Sequence, residues 1–302
     1  KLVENEFIKF MEKFDENPFR IILEDGEHLI GDGEPAFTVK INKIPKMMDM
    51  LTSTSITLGE AYMNGDIEIE GDLYTALNMF LGQMGKFSTD TKKLKNIIFT
   101  SKSKANQKKE VSSHYDIGND FYKMWLDETM SYSCGYFKNE NDTLYQAQCN
   151  KVDRILEKLN LSDGMTLCDI GCGWGFLLIE AAKKYNIKGV GITLSKEQKA
   201  KFEQRIKEEN LSDRLEVKLL DYRDLPKQHM EFDRVVSVGM IEHVGRGNYE
   251  EFMQCVKSVL KQGGVFVLHF ISALKEYPGD AWVKKYIFPG GVIPSLREIM
   301  QI

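Results

Sequence analysis

The fold of this chain is decided by residues 167–182, which read Leu-Cys-Asp-Ile-Gly-Cys-Gly-Trp-Gly-Phe-Leu-Leu-Ile-Glu-Ala-Ala. The apolar run up to Ile170 is typical of a buried parallel strand, and apolar residues recur at helical spacing from Phe176 onward. Glycines fill the bend between the two elements: Gly171, Gly173 and Gly175. Glycine lets a backbone approach a ligand closely, and the following helix offers unpaired N–H groups. The stretch therefore predicts a nucleotide pocket.

The next predicted strand, Lys188–Thr193, indicates which nucleotide is bound. In an NAD fold, an acidic residue about 20 positions past the glycines holds the ribose hydroxyls. Here the strand ends in Thr193, and no acid stands at its tip. The single carboxylate of Asp169 at the glycine turn and the Gly-x-Gly-x-Gly spacing also favour S-adenosylmethionine (SAM) over NAD.

Composition bounds the class of protein. A chain of 302 residues with 42% hydrophobic and 28% charged residues predicts a soluble globular protein of two domains. No run of about 18 apolar residues is present, so no spanning helix is predicted. The chain opens at Lys1 without an initiator methionine, and we expect its natural start to lie upstream. The five cysteines form no Cys-x-x-Cys pairs, so we predict no metal site and a reducing, cytoplasmic setting.

Residues 1–85 predict a small α+β domain. Helices are predicted over 4–14 and 44–51, strands over 19–23 and 37–41, then a short helix ended by Gly65, an alternating strand, and a helix capped by Asp72 that reaches about Leu81. Nothing in this part looks catalytic. We interpret it as a packing or lipid-associated module.

Residues 86–110 lose periodicity and become basic. Seven lysines and no acid lie between Lys92 and Lys109. Two interpretations stay open: a solvated linker, or a contact for anionic lipid headgroups worth about 1 kcal/mol per lysine. Nucleic acid is a poorer candidate, because the net charge is −5 and the lysines show no pattern of alternating aromatic and basic residues.

Residues 111–302 predict the larger domain. Its first part, 114–137, is rich in aromatic residues and is either packed core or a segment lying across the pocket. Strands over 215–220, 232–238 and 264–270 and helices over 143–159 and 249–260 complete the pattern. Alternating strands and helices predict an α/β fold with a doubly wound, mostly parallel sheet and ligands at its carboxyl ends.

Five sequence blocks resemble those of the bacterial cyclopropane-fatty-acyl-phospholipid synthases, in family order. They lie at residues 115–122, 132–137, 169–175, 193–198 and 241–245. The Gly-Cys-Gly-Trp-Gly motif is shared with mycolic acid cyclopropane synthases and some plant N-methyltransferases. Residues 59–63 and 70–73 resemble the small N-terminal domain of the phospholipid enzymes, which favours that family.

The resemblance implies a class I SAM-dependent methyltransferase, Rossmann-like in fold. It implies SAM held by Tyr132, Ser133, Asp169, Gly171, Gly173, Thr193, Leu194, Gln198, Asp221, Tyr222 and Arg223. Within this set we expect Gln198 to cap a helix near the ribose and Tyr222 to stack beside adenine.

The resemblance also implies bound bicarbonate as a base, held by Cys134, Glu242 and His269. From the residues alone, each has a plainer interpretation: a small buried hydrophobe, a surface acid and a core histidine, respectively. In the family a C-terminal tyrosine completes this anion site, and no such part lies within the 302 residues. Either it is present beyond Ile302, or the site is incomplete.

The implied reaction transfers a methylene group from SAM to the cis double bond of phospholipid acyl chains. Methyl transfer leaves a carbocation, which the rings of Tyr132, Tyr136 and Phe137 are suited to stabilise. Two alternatives remain: a SAM methyltransferase that makes methyl-branched lipids or methylates an amine, and a lipid-binding module. The expected setting is the inner face of the membrane, peripherally bound, with a homodimer as the assembly that the family suggests.

Overall fold

A computed structural model gives the structure of the chain, and it describes residues 2–83, 118–276 and 279–302. These residues form two compact units: 2–83 with 279–287, and 118–276 with 288–302. The predicted basic linker, 86–110, lies outside the described residues, as do residues 114–117 of the aromatic segment.

The first unit is built on a four-stranded sheet. Its strands are β1 (Phe19–Leu23), β2 (Gly26–Ile30), β3 (Phe37–Ile41) and β4 (Ile67–Gly71), in the order β2-β1-β3-β4. Strands β1 and β3 are parallel, and the other pairs are antiparallel. The sequence did not predict β2, because this edge strand is largely exposed and lacks the apolar alternation of β1 and β3.

Helices cover this sheet, and a late segment of the chain joins them. The helices are Leu2–Met11, Met47–Thr52, Thr54–Met63, Leu73–Gly82 and Ala281–Tyr286. Asp72 caps the helix Leu73–Gly82, as predicted, by accepting from the backbone of Tyr74 and Thr75. In the helix Ala281–Tyr286, Lys285 and Tyr286 both bind the carboxylate of Glu60. No local pattern in the sequence indicated that these late residues belong to the first unit.

The second unit is a five-stranded, all-parallel sheet. Its strands are β5 (Thr166–Ile170), β6 (Lys188–Thr193), β7 (Leu215–Leu219), β8 (Phe232–Val238) and β9 (Leu260–His269). Their order is β7-β6-β5-β8-β9, which confirms the doubly wound α/β prediction. The order reverses beside β5, so the crevice for a ligand lies at the carboxyl ends of β5 and its neighbours.

Helices pack on both faces of this sheet. They are Asn119–Lys123, Leu144–Leu159, Phe176–Lys184, Lys196–Glu208, Ile241–Val244, Tyr249–Val259 and Leu296–Met300, with the 3₁₀ helix Tyr222–Gln228. Leu156, Leu178 and Phe202 belong to the core on one face, and Phe252 and Val256 to the core on the other. Strand β9 begins four residues before the predicted start at 264, because it continues directly from the preceding helix. None of the helices within the described ranges has the length and apolar character needed to cross a membrane.

Candidate active site

The three glycines after β5 are needed for different reasons. All have positive φ, at 84° for Gly171, 54° for Gly173 and 84° for Gly175. A Cβ on Gly175 would lie 2.0 Å from the ring of Phe202, and one on Gly171 would lie 2.9 Å from Cγ of Met240. A Cβ on Gly173 meets nothing within 4 Å among the described residues, and this glycine lines the cavity. Gly175 therefore serves packing, and Gly173 leaves open space for a ligand.

One cavity at the carboxyl end of the sheet contains every residue predicted to bind the cofactor. Its lining includes all eleven: Tyr132, Ser133, Asp169, Gly171, Gly173, Thr193, Leu194, Gln198, Asp221, Tyr222 and Arg223. They come from four separate parts of the sequence: residues 132–133, the end of β5 with its glycine turn, the end of β6 with the helix that follows, and the start of the 3₁₀ helix. The cavity is where the order of the strands reverses.

Two polar groups in this cavity have atoms without a partner. Asp169 is 3% exposed, and burial raises the pKa of its carboxyl to about 7. Its Oδ1 and the hydroxyl of Tyr222 have no hydrogen-bond partner in the part of the chain that the structure describes. Buried polar atoms without partners are costly, so they are suited to a ligand with its own donors and acceptors. SAM, with an ammonium group, ribose hydroxyls and an adenine amine, fits these atoms and the open turn at Gly173.

The roles of Ser195 and Gln198, which follow β6, differ from the prediction. Ser195, and not Gln198, caps the helix Lys196–Glu208, since its Oγ accepts from the backbone N of Gln198 at 3.2 Å. The side-chain oxygen of Gln198 instead accepts from Thr193 Oγ1 at 2.7 Å. The prediction that Gln198 caps a helix was therefore wrong. Ser195 is the cap, because serine is a strong N-cap residue and stands three positions earlier, at the start of the helix.

Asp221 and Arg223, which also line the cavity, form a bidentate pair. Arg223 donates from Nε to Asp221 Oδ1 at 2.8 Å and from a terminal nitrogen to Oδ2 at 2.6 Å. This hydrogen bonding raises the pKa of Arg223. The guanidinium carbon lies 5.3 Å from the ring centroid of Tyr222, whose ring also packs edge-on against Phe252 at 5.2 Å. The pair therefore holds the Tyr222 ring in place at the cavity wall.

The three residues expected to hold an anion lie beside this cavity and do not line it. Cys134 Sγ is 3.8 Å from Nε2 of His269, which ends β9. Glu242 accepts at Oε1 from the backbone N of Ile271, two residues past His269, at 2.8 Å. The structure thus brings Cys134 and His269 into contact and ties Glu242 to the chain that follows His269.

The electrostatics of this cluster suit a small polar ligand. Burial raises the pKa of Glu242 and lowers the pKa of His269, so both neutral forms are favoured. Glu242 Oε2 and His269 Nδ1 are buried and find no partner among the described residues. A carboxyl and an imidazole that can each donate or accept a hydrogen bond match the oxygens and hydroxyl of bicarbonate.

The aromatic rings proposed for cation stabilisation separate into different roles. Tyr132 lines the cavity and packs edge-on against Trp125, at 5.0 Å between ring centroids. The guanidinium carbon of Arg154 is 4.9 Å from the ring centroid of Tyr136, so a cation already lies over one face of this ring. Phe137 is 54% exposed. Of the three rings, Tyr132 is the one placed beside the ligand space.

Sequence reasoning missed two buried polar residues on the helix Leu144–Leu159. Lys151 donates to Ser133 Oγ at 2.7 Å, and Gln148 donates to the carbonyl oxygen of Ser133 at 2.9 Å. A signal was present: Ala147, Lys151, Ile155 and Leu159 recur every four residues, so a lysine stands inside the buried stripe.

Cyclopropane synthases and a methyltransferase are among the solved structures of similar fold. The cyclopropane synthase MmaA2 from Mycobacterium tuberculosis matches with a TM-score of 0.60 and 35% identity, covering 64% of this chain and 72% of that one. A mycolic acid cyclopropane synthase complexed with SAH and CTAB matches with a TM-score of 0.59 and 35% identity, covering 64% and 72%. A coclaurine N-methyltransferase bound to SAH matches with a TM-score of 0.52 and 25% identity, covering 70% and 68%. The fold and the cavity together define a SAM-dependent methyltransferase.

The sequence relatives define the family within this class. The model of the mycolic acid cyclopropane synthetase family matches residues 102–302, and a domain of unknown function matches residues 7–92. A cyclopropane-fatty-acyl-phospholipid synthase of Escherichia coli (strain K12) is 38% identical over 95% of this chain and 75% of its own length. A probable fatty acid methyltransferase of Pseudomonas putida is 38% identical over 93% and 73%. The chain belongs to the family of cyclopropane-fatty-acyl-phospholipid and mycolic acid cyclopropane synthases.

Proposed function

We propose that this enzyme transfers a methylene group from SAM to the cis double bond of unsaturated fatty acyl chains of membrane phospholipids, forming cyclopropane fatty acids. The observation that carries the proposal is the pairing of two sites. A cavity lined by all eleven expected cofactor residues lies beside a cluster with two buried orphan atoms, Glu242 Oε2 and His269 Nδ1. Methyl transfer to an amine also needs the first site, but it forms no carbocation and so does not require a bound anion to remove a proton from the transferred methyl group.

The chemistry explains why both sites are needed. An isolated alkene is a weak nucleophile and cannot be activated by deprotonation, so it must be held against the methyl donor in a site without water. SAM, when bound, supplies an electrophilic methyl group, and bicarbonate, when bound, accepts the proton that is lost as the ring closes. The protein's own residues have to position these partners and stabilise the charge that develops between them.

Residues of the cavity supply binding and charge stabilisation. Asp169, with its orphan Oδ1, is suited to accept a hydrogen bond from a cationic ligand. Tyr132 lines the cavity and stands two residues before Cys134 in the sequence. Its π face is suited to stabilise a carbocation on the acyl chain, by about 0.5–2 kcal/mol when water is excluded.

Residues of the neighbouring cluster hold the base. Glu242 is fixed by the backbone of Ile271, and burial raises its pKa, which favours the protonated carboxyl that is suited to donate a hydrogen bond through Oε2. Burial lowers the pKa of His269, which favours its neutral form, and its Nδ1 is the second buried atom of the cluster without a partner among the described residues. In this role Glu242 and His269 bind an anion, and neither takes the proton itself.

Two features support a membrane substrate. The lysine-rich sequence between Lys92 and Lys109 offers positive charge to anionic headgroups. The relatives carry the names of a phospholipid synthase and a fatty acid methyltransferase. We infer peripheral association with the cytoplasmic face of the membrane and a homodimer as the working assembly.

An alternative within the same class is a methyltransferase that makes methyl-branched lipids or methylates an amine. It is favoured by the names of two similar proteins, the probable fatty acid methyltransferase and the coclaurine N-methyltransferase. The two functions differ in whether the double bond is consumed by ring closure.

Incubation with phospholipid vesicles decides between these functions. Purified protein receives SAM and vesicles with cis-unsaturated chains, with and without bicarbonate, and vesicles with saturated chains serve as the control. We expect the unsaturated chains to gain one methylene and lose the double bond, with little product in bicarbonate-free buffer. Transfer that leaves a methyl branch or an olefin supports the alternative. Turnover that is indifferent to bicarbonate overturns the proposed base.

A further inference from the structure

A lysine is buried at the wall of the cofactor cavity, against the segment that carries Cys134. Lys151 is 5% exposed and lines the cavity beside Ser133. Its ammonium donates to Ser133 Oγ at 2.7 Å and to Gln148 Oε1 at 2.5 Å. An ammonium has three donors, so the described residues leave one of them unused.

This buried charge has no carboxylate partner within ion-pair distance among the described residues. The acids that act on Lys151 from farther away are the thiol of Cys134 and the carboxyl of Asp127. Asp127 is already engaged, since it accepts from the hydroxyl and the backbone N of Thr129. Burial lowers the pKa of Lys151 to about 8, which still leaves it mostly charged at neutral pH. Burying a cation without a counter-ion costs several kcal/mol, so a site of this kind favours an anionic ligand.

The anion cluster is the neighbour that such a charge can serve. Ser133, which accepts from Lys151, is followed by Cys134, whose sulfur contacts His269. The charge of Lys151 also lowers the pKa of His269, after the larger effect of burial, and the exposed Lys158 does so less. None of the three cluster residues carries a fixed positive charge, because His269 is held neutral. A negative ligand at this point therefore needs its cation from elsewhere.

We propose that Lys151 is a positioning residue that acts as the counter-ion of the anion site at Cys134, Glu242 and His269. This rests on the proposed function, in which a bicarbonate ion occupies that site. The neutral neighbour Gln148 has a separate role, because its amide binds the carbonyl oxygens of Ser133 and Ser131, at 2.9 and 3.4 Å, and fixes the segment that carries Cys134. Charge and placement are thus divided between two side chains one helical turn apart.

Alkylation of Cys134 measures this charge without any turnover. Cys134 is an exposed cysteine, whereas Cys168, Cys172 and Cys255 are buried. Its thiolate displaces iodide from iodoacetate, an anion, or from iodoacetamide, which is neutral, and peptide mass mapping separates Cys134 from the half-buried Cys149. The ratio of the two rates cancels the fraction of thiolate, so it reports the local potential.

We expect Lys151→Met to lower the iodoacetate-to-iodoacetamide ratio at Cys134 by about fivefold, as a unit charge a few ångströms beyond contact does at a partly buried site. The exposed Lys158→Met on the same helix, screened by water, is the matched control and should change the ratio by less than about twofold. Gln148→Leu should leave the ratio near that of the unchanged protein, because the charge remains. An equal ratio in the unchanged protein and Lys151→Met overturns the proposal.

The dependence of turnover on bicarbonate concentration is the second measurement. Lys151→Met should raise the KM for bicarbonate by about tenfold and change the KM for SAM by less than about threefold, while Lys151→Arg should restore much of the loss. Thermal unfolding confirms that each variant is folded. If the unchanged protein needs bicarbonate and Lys151→Met keeps the same KM for it, Lys151 is not the counter-ion. If the unchanged protein needs no bicarbonate, the proposed base itself is wrong, and the alkylation ratio still reports whether Lys151 creates the potential.

Discussion

Two aspartates on neighbouring strands of the same sheet have opposite environments. Asp233, at the amino end of β8, accepts from the backbone N and the hydroxyl of Thr166, each at 2.8 Å, and from Lys261 at 3.0 Å. The backbone hydrogen bond from Thr166, followed by Lys261, lowers the pKa of Asp233 to about 2. Asp169, near the carboxyl end of β5, has an orphan oxygen, and burial raises its pKa to about 7.

The difference separates the structural end of the sheet from the chemical end. Polar groups at the amino end bind each other, so they stabilise the fold. The carboxyl end holds polar atoms that find no partner in the described parts of the chain: Asp169 Oδ1, Tyr222 OH, Glu242 Oε2 and His269 Nδ1. Buried groups with perturbed pKa values and missing partners are typical of sites that a ligand completes.

The largest effect is expected for Glu242→Leu. A leucine side chain can neither accept the hydrogen bond from the backbone N of Ile271 nor donate one to a bound anion, so the anion site loses a donor and its link to the chain after His269. Turnover on unsaturated vesicles should fall about 100-fold or more, because the base that removes the proton would no longer be held in place. SAM affinity, measured by calorimetry, should not change. A parallel loss of SAM affinity would mean that the two sites are not separate.

Asp169→Asn should weaken SAM binding by about tenfold or more, because a hydrogen bond to a charged group usually contributes that much to binding. The same change removes a buried, incompletely partnered carboxyl, so the free energy of unfolding should stay level or rise. Calorimetry and urea unfolding test the two halves of this expectation. A variant that loses stability and keeps its affinity for SAM would place Asp169 among the structural groups with Asp233.

Asp233→Ala should do the reverse. Loss of its bonds to Thr166 and Lys261 should lower the free energy of unfolding by about 1–3 kcal/mol, while SAM affinity stays the same. Because the folded pKa is depressed, this stability is present above the unfolded pKa of about 3.9 and is lost as pH falls toward the folded value. The gap between the two proteins in urea unfolding should therefore close between about pH 4 and about pH 2.

The smallest effect concerns pH and SAM binding. Since the pKa of Asp169 is raised to about 7, lowering the pH from about 8 to about 6 protonates it and removes its charge from the cavity. The affinity for SAM should fall by up to about tenfold over this interval, and Asp169→Asn should abolish the pH dependence. A slope that persists in the variant would assign the titration to another group.

The sequence predicted the second unit well because motifs and strand ends coincide there. Asp169, Thr193 and Asp221 each stand at or near the end of a predicted strand, and the carboxyl ends of parallel strands meet at one edge. The polar side chains that line the space between elements were harder to predict. Lys151 was missed because its role depends on Ser133, which is 18 residues away along the chain.

Other differences also come from contacts that local patterns do not contain. The edge strand β2 shows no alternation because only one of its five residues is buried. The helix Ala281–Tyr286 joins the first unit through Glu60, 225 positions away from Lys285. Periodicity predicts which face of an element is buried, but not which distant element covers it.

The central claim is that the ring closes after the transferred methyl group loses a proton. The number of deuterium atoms that pass from labelled SAM to the product tests this claim most directly. The protein is incubated with cis-unsaturated phospholipid vesicles, bicarbonate and SAM whose transferable methyl group carries three deuterium atoms, and the acyl chains are weighed by mass spectrometry. Ring closure after loss of a proton from the transferred methyl should leave two deuterium atoms in the product and no double bond. A product that keeps all three, as a methyl branch does when the proton is lost elsewhere, would contradict the account.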